Sequence, residues 1–175
     1  MKLILGPCQI EDRDMMLKIA EEIAIQTMQF DEVYFKSSFD KANRSSASSK
    51  RGPGMEEGLR ILEKVKQESN LPVLTDVHEC HQVKPVAEVV DVIQIPAFLS
   101  RQTDLITTAW QSGKIVNVKK GQFMAPLDVE NIVHKCQDYA GQSNSDRVWI
   151  TERGVTHGYN SLVVDFAGIQ LIKRR

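Results

Sequence analysis

The sequence predicts an α/β fold, a (β/α)8 barrel of which about six β/α units are present. Three observations lead there. First, six short runs are apolar on both faces: "KLILGP", "EVYFKS", "PVLTDV", "DVIQIP", "KIVNVK" and "RVWITE". They alternate with helical stretches, the pattern of βαβ units and a parallel sheet. Second, nearly every run ends in polar or charged residues: Cys8 and Gln9, Lys36 and Ser37, Asp76 and His78, Gln94, Lys119, then Glu152 and Arg153. A barrel gathers function at the C-terminal ends of many strands, whereas a doubly wound sheet concentrates it at one switch point. Third, a barrel of about 250 residues uses roughly 31 per unit, so six units need roughly 186. The chain has 175. It reads as one domain, residues 1–175, with no linker, internal repeat or low-complexity tract.

The elements follow in order. "RDMMLKIAEEIAIQTM" is the first helical stretch, between the first two strands. "MEEGLRILEKVKQES" follows the turn "RGPG" (Arg51 to Gly54), with Glu56 and Glu57 in the first turn, where the helix dipole favours acids. "HQVKPVAEVV", "LITTAWQSG" and "DVENIVHKCQDYAG" are the next three. The tail "LVVDFAGIQLIKRR" reads as mixed or helical.

Composition excludes several functions. Net charge is −1, with 42% hydrophobic and 26% charged residues. A global electrostatic pull on nucleic acid or membrane is not supported, so anion binding must come from local clusters. No run of about 18 apolar residues exists, so no transmembrane helix is expected. The apolar start is too short for a signal peptide. Cys8, Cys80 and Cys136 are odd in number and lack a CxxC pair, which argues for reduced thiols in a cytoplasmic compartment.

Lys36, Lys41, Arg44, Lys119 and Arg153 lie at or just beyond strand ends. Converging there, Lys point charges and Arg forks suit phosphate and carboxylate. For any single Lys the plain alternative is a solvated surface charge; cations at three of six strand ends weigh against it. Asn43, Ser45 and Ser46 beside Arg44 can bind hydroxyls or a second phosphate, or simply shape a turn. No GxGxxG or GxxxxGK[ST] phosphate loop occurs. Cys8 is either a thiolate metal ligand or small core packing. "HECH" (His78 to His81) has neither CxxC nor HExxH spacing and reads poorly as a metal site; His78, just past a strand, is the better ligand-facing residue. His134 and Cys136 read as structural or surface residues.

Seven strings in this order carry a resemblance: "GPCQIE", "FKSSFDKANRSS", "RGPGMEEGLRIL", "LTDVHE", "VVDVIQIPAFLSRQTDL", "VNVKKGQF" and "TERGVTHGYNSLVVDF". Together the chain resembles the 3-deoxy-D-manno-octulosonate 8-phosphate synthases over nearly all its length. "KSSFDKANRSS" and "IPAFLSRQTDL" separate that family from the aromatic-pathway heptulosonate synthases and the sialic acid synthases. The resemblance implies a (β/α)8 barrel, usually a homotetramer. Its reaction condenses phosphoenolpyruvate with arabinose 5-phosphate and water for lipopolysaccharide synthesis. It implies Lys36 and Lys41 near the phosphoenolpyruvate carboxylate and reacting centre, and Asn43, Arg44 and Ser45 on the arabinose phosphate. Gln94, Lys119 and Arg153 complete the phosphoenolpyruvate pocket, Arg101 reaches the sugar phosphate of a neighbouring subunit, and Asp76 and His78 line the site. "GPC" implies the branch that uses a divalent metal, with Cys8 as one ligand.

The same resemblance implies a length roughly 100 residues greater, on the scale of a full barrel. Strands seven and eight and three of four metal ligands are therefore expected to be missing. His157, in "GVTHGYN", stands where the family generally has Phe and is not expected to replace a ligand. The alternative to an enzyme is a non-catalytic remnant that keeps sugar-phosphate or phosphoenolpyruvate binding.

Overall fold

The computed structural model describes residues 1–140 and 145–173. Gly141, the last residue of the fifth helical stretch, and residues 174–175 of the tail lie outside the described residues. The strands are β1 (Lys2–Leu5), β2 (Glu32–Lys36), β3 (Val73–Asp76), β4 (Val92–Ile95), β5 (Ile115–Lys119), β6 (Val148–Thr151), β7 (Val155–Thr156) and β8 (Leu162–Val163). The helices are α1 (Arg13–Gln26), α2 (Met55–Ser69), α3 (Cys80–Val89), α4 (Thr103–Gln111), α5 (Glu130–Ala140) and α6 (Phe166–Ile172). All six expected strands form. Their order in the sheet is β1-β2-β3-β4-β5-β6. Among the described residues that order never reverses, the consecutive β/α progression of barrel folds rather than the reversed order of a doubly wound sheet. Among the described residues, no helix is long and apolar enough to cross a membrane.

Burial follows position in the sheet. β3 and β4 are buried at all four residues. β1, at one end of the order, is exposed at three of its four residues although its sequence is apolar. Central strands are covered on both faces, whereas an end strand keeps one side unpaired.

The chain divides into two compact units, Met1–Asp76 with Lys84–Ile93, and Val77–Val83 with Gln94–Arg175. In the first, Met16 and Ala20 of α1, Phe35 of β2, and Leu62 and Val65 of α2 are buried. Asp12 caps α1 by accepting from Met15 N at 2.9 Å. The helix stops at Gln26 rather than Met28, with Thr27 as its C-cap: both Thr27 N, at 3.0 Å, and Thr27 Oγ1, at 2.6 Å, donate to Ile23 O. Asn70, left-handed at φ 56°, ends α2. Asp91, just before β4, accepts from Lys66 Nζ at 2.7 Å and from Val73 N at 2.9 Å, which ties α2 to the start of β3.

In the second unit, Ile106, Ala109 and Trp110 of α4 are buried, as are Val116 and Val118 of β5 and Ile132 and Cys136 of α5. Arg147 stacks on the Trp110 ring at 3.8 Å, a cation–π contact. The tail is mixed, as expected: β7 and β8 pair antiparallel, then Asp165 caps α6 by accepting from Gly168 N at 2.9 Å.

Candidate active site

The strand ends of the first unit carry a dense polar node. Gly6 follows β1 at φ 138°, and any Cβ there would collide with Lys36 O. Glycine thus lets the two backbones close, and Gln9 bridges to Ser38 in parallel. Ser38 then lies buried at the end of β2 beside the buried Asp76 at the end of β3. Its Oγ accepts from Lys41 Nζ at 2.6 Å and from Lys36 Nζ at 3.2 Å, and it donates to Asp76 Oδ1. A serine hydroxyl has one donor and two acceptor positions, so all three are used. Lys36 Nζ also donates to Cys8 O at 3.3 Å.

The loop beyond Lys41 is held from outside. Arg51 forms a two-pronged ion pair with Asp40, through Nε to Oδ1 at 2.8 Å and through Nη2 to Oδ2. That pairing raises the Arg51 pKa. Lys41 N donates to Arg51 O at 2.7 Å, and Gly54 N to Phe39 O at 3.1 Å. Gly52, at φ 117°, presses so close to Phe39 O that no side chain fits. Arg44 Nη2 donates to Gln9 Oε1 at 2.9 Å and Arg44 Nε to Lys50 O at 3.3 Å. Asn43, Arg44 and Ser45 are all exposed. Beside them a cavity of about 270 Å³ is lined by Gln9, Lys50, Arg51 and Gly52 among others.

The second unit has its own polar strand ends. Gln94 and Asn117 are buried on β4 and β5, and Thr151 ends β6. Asn117 Nδ2 donates to Gln94 Oε1 at 3.3 Å, and Thr151 Oγ1 donates to Asn117 Oδ1 at 2.8 Å. Lys119 is half-buried at the end of β5, and Arg153 is exposed two residues past β6. Lys120 is fully buried, with Nζ 3.3 Å from Glu152 Oε2 and from the carbonyls of Gly121 and Met124. Glu152 Oε1 accepts in turn from Gly154 N. Arg101 is exposed before α4, and its carbonyl accepts from Lys135 Nζ at 2.8 Å. His78 is half-buried, its backbone N donating to Gln82 Oε1 at 2.7 Å, which caps α3. His157 is exposed in the β7–β8 hairpin.

Of the residues singled out from sequence, Lys36, Lys41 and Asp76 therefore meet within one unit. Gln94, Lys119 and Arg153 lie at strand ends of the other. Ser38, Arg51, Asn117, Lys120 and Thr151 were missed. The alternation of β5 offered the one available signal, because it puts Asn117 on the same face as Lys119.

Cys8 and Cys80 are exposed, and Cys136 is buried. Cys8 is therefore not core packing. Burial pushes the Cys136 thiol up to about 11, against the opposing pull of Arg147 and Lys135. His81 Nδ1 lies 3.1 Å from Glu79 Oε2 on the exposed surface, so "HECH" pairs within itself. Among the described residues, no three His, Cys, Asp or Glu side chains gather as a metal set.

Consecutive β/α units place donors and cations at their C-terminal strand ends in an α/β fold, and comparison with known proteins supplies the family. The DAHP synthetase I family model matches residues 1–175, and the chain belongs to that family. It is 55% identical over 169 residues to the 2-dehydro-3-deoxyphosphooctonate aldolase of Synechococcus sp., a match covering 96% of this chain and 58% of that protein. It is 51% identical over 173 residues to the protein of that name from Geobacter sulfurreducens, covering 98% of this chain and 62% of the relative. The Shewanella woodyi protein of the same name is 52% identical over 166 residues, covering 94% and 57%. The chain spans about three-fifths of the length of these relatives.

Proposed function

We propose that the protein condenses phosphoenolpyruvate with arabinose 5-phosphate and water, releasing phosphate and an eight-carbon sugar acid phosphate. The observation that carries this reading is the convergence of Lys36 and Lys41 on Ser38 beside the buried Asp76. Two anionic substrates need fixed cations, and the cations in turn need a buried anion to hold them. The family membership and the names of the relatives support the same reading.

In this account Asn43, Arg44 and Ser45 hold the sugar phosphate, with Arg44 oriented by Gln9. Lys41 stands at the aldehyde. The enol carbon of phosphoenolpyruvate forms the new bond to the aldehyde carbon, and the Lys41 ammonium donates a proton to the aldehyde oxygen as negative charge appears there. Positive character at the former enol carbon is quenched when the oxygen of water bonds to it, one of the water's protons returning to the Lys41 amine. The hemiketal phosphate so formed then breaks its C–O bond to phosphate as its hydroxyl becomes the ketone, the hydroxyl proton leaving with the phosphate. Asp76, reached through Ser38, keeps Lys41 aimed. His78 lines the site. Gln94, Lys119 and Arg153 bind the carboxylate and phosphate of phosphoenolpyruvate. Holding the two carbons at near-attack distance supplies much of the acceleration.

Cys8 is proposed as one ligand of a divalent metal that would polarise water or aldehyde. The described residues do not complete a metal set. The protein is further proposed to be cytoplasmic and homo-oligomeric, with Arg101 reaching the sugar phosphate of a neighbouring subunit.

The test is orthophosphate release by the purified protein with both substrates and a divalent metal present. Release that requires both substrates is expected. Binding of either ligand without release would favour a binding protein, and neither binding nor release would overturn the proposal.

A further inference from the structure

Three uncharged polar side chains, Gln94, Asn117 and Thr151, stand in a hydrogen-bonded row across β4, β5 and β6. Gln94 is 4% exposed and Asn117 2%. A buried carboxamide is costly unless its hydrogen-bonding groups are used. Here they are used in one direction. Thr151 Oγ1 donates to Asn117 Oδ1 at 2.8 Å, which fixes the oxygen end of Asn117 toward β6. Its Nδ2 must then point toward β4, where it donates to Gln94 Oε1 at 3.3 Å. One of the two acceptor positions of Gln94 Oε1 is thereby taken and the oxygen is turned toward Asn117, so the other end of the carboxamide carries the two Nε2 N–H donors. Lys119 shares the Asn117 face of β5 and pairs in register with Thr151. Lys119 and Arg153 are also donors only.

We infer that Asn117 is a positioning residue: it relays the direction set by Thr151 so that Gln94 presents N–H groups, not oxygen, to an anionic ligand. The ligand, phosphoenolpyruvate, rests on the proposed function; the row of hydrogen bonds does not. A freely rotating Gln94 would offer its oxygen part of the time and would repel a carboxylate or phosphate.

The substitution that reverses the direction is Asn117→Asp. The acid still accepts from Thr151, but its second oxygen forces Gln94 to turn its nitrogen inward and its oxygen toward the ligand. Thr151→Val removes the directing hydroxyl at the far end of the row and changes shape little; Thr151→Ser restores it. Side-chain amide exchange by NMR reads the row without any ligand. In the unaltered protein Asn117 Nδ2 protons should be protected and Gln94 Nε2 protons should exchange faster. Asn117→Asp should invert the Gln94 result. Calorimetric titration with phosphoenolpyruvate reads the consequence: the Kd should rise at least about tenfold in Asn117→Asp, about threefold in Thr151→Val, and little in Thr151→Ser. In a Gln94→Ala background Thr151→Val, which changes no charge, should have no further effect, a coupling that a merely structural role would not show. Unchanged affinity in both Asn117→Asp and Thr151→Val overturns the inference, as does a loss that persists without Gln94. If the unaltered protein binds no phosphoenolpyruvate, the proposed function fails instead. The inference is then decided by amide exchange, where protected Gln94 Nε2 protons overturn it.

Discussion

Ser38 stands between Lys41 and Asp76, accepting from Lys41 Nζ at 2.6 Å while donating to Asp76 Oδ1. One hydroxyl thus couples a cation to a buried carboxylate that the cation does not have to touch. Ser38→Ala removes the link and leaves Asp76 with one donor fewer. Stability should fall by about 1–3 kcal/mol, the usual cost of stripping a partner from a buried polar group. Turnover should fall as well, because Lys41 loses its aim. A melting curve and activity both equal to the unaltered protein would remove Ser38 from the account.

Lys41→Ala should lower the rate of phosphate release about 10²- to 10⁴-fold, the range for losing a positioned proton donor. Arg44→Ala should weaken arabinose 5-phosphate binding and leave phosphoenolpyruvate affinity close to normal. Full activity in either variant would contradict the roles assigned. Separate titrations with the two substrates distinguish them.

Most of the fold was legible because buried parallel strands are written as apolar runs, and all six expected runs became strands within two residues at each end. β7 and β8 were not legible, since two residues each are too few to show alternation. The cations of the site announced themselves by their position at strand ends. The residues that aim them did not. Ser38 looks like any loop serine until Asp76, 38 positions on, is brought beside it. Asp40 and Arg51 lie eleven apart and pair where Gly52 brings the chain back against Phe39, a closure that no local sequence pattern announces.

Lys120 and Glu152 form a buried pair, with side chains 1% and 12% exposed. Lys120→Met should destabilise by about 3–5 kcal/mol, since it strands Glu152 and two backbone carbonyls. Glu152→Gln should cost less, because its oxygen can still accept from Lys120 or Gly154. Chemical denaturation of the two variants checks the order. Equal stabilities would show that the pair does not hold this turn.

The Cys136 thiol titrates near 11 in the folded chain, above the ordinary value near 9. A raised pKa favours the protonated thiol, so this contribution is complete below about pH 9 and is lost as the pH rises toward 11. Cys136→Ala should flatten the decline in stability over that window, while costing packing at every pH. Thiol labelling at pH 8 should modify Cys8 and Cys80 and spare Cys136 until unfolding. Rapid native-state labelling of Cys136 would contradict its burial.

The most direct test of the central claim is a two-stage titration of isotopically labelled protein followed by backbone amide NMR. Phosphoenolpyruvate should shift Gln94, Lys119 and Arg153, and arabinose 5-phosphate should then shift Lys41, Asn43, Arg44 and Ser45. The N-terminal ends of the same strands, at Ile115 and Val148, should not move. Shifts confined to those N-terminal ends, or none with either ligand, would contradict the claim that these strand ends bind the two substrates.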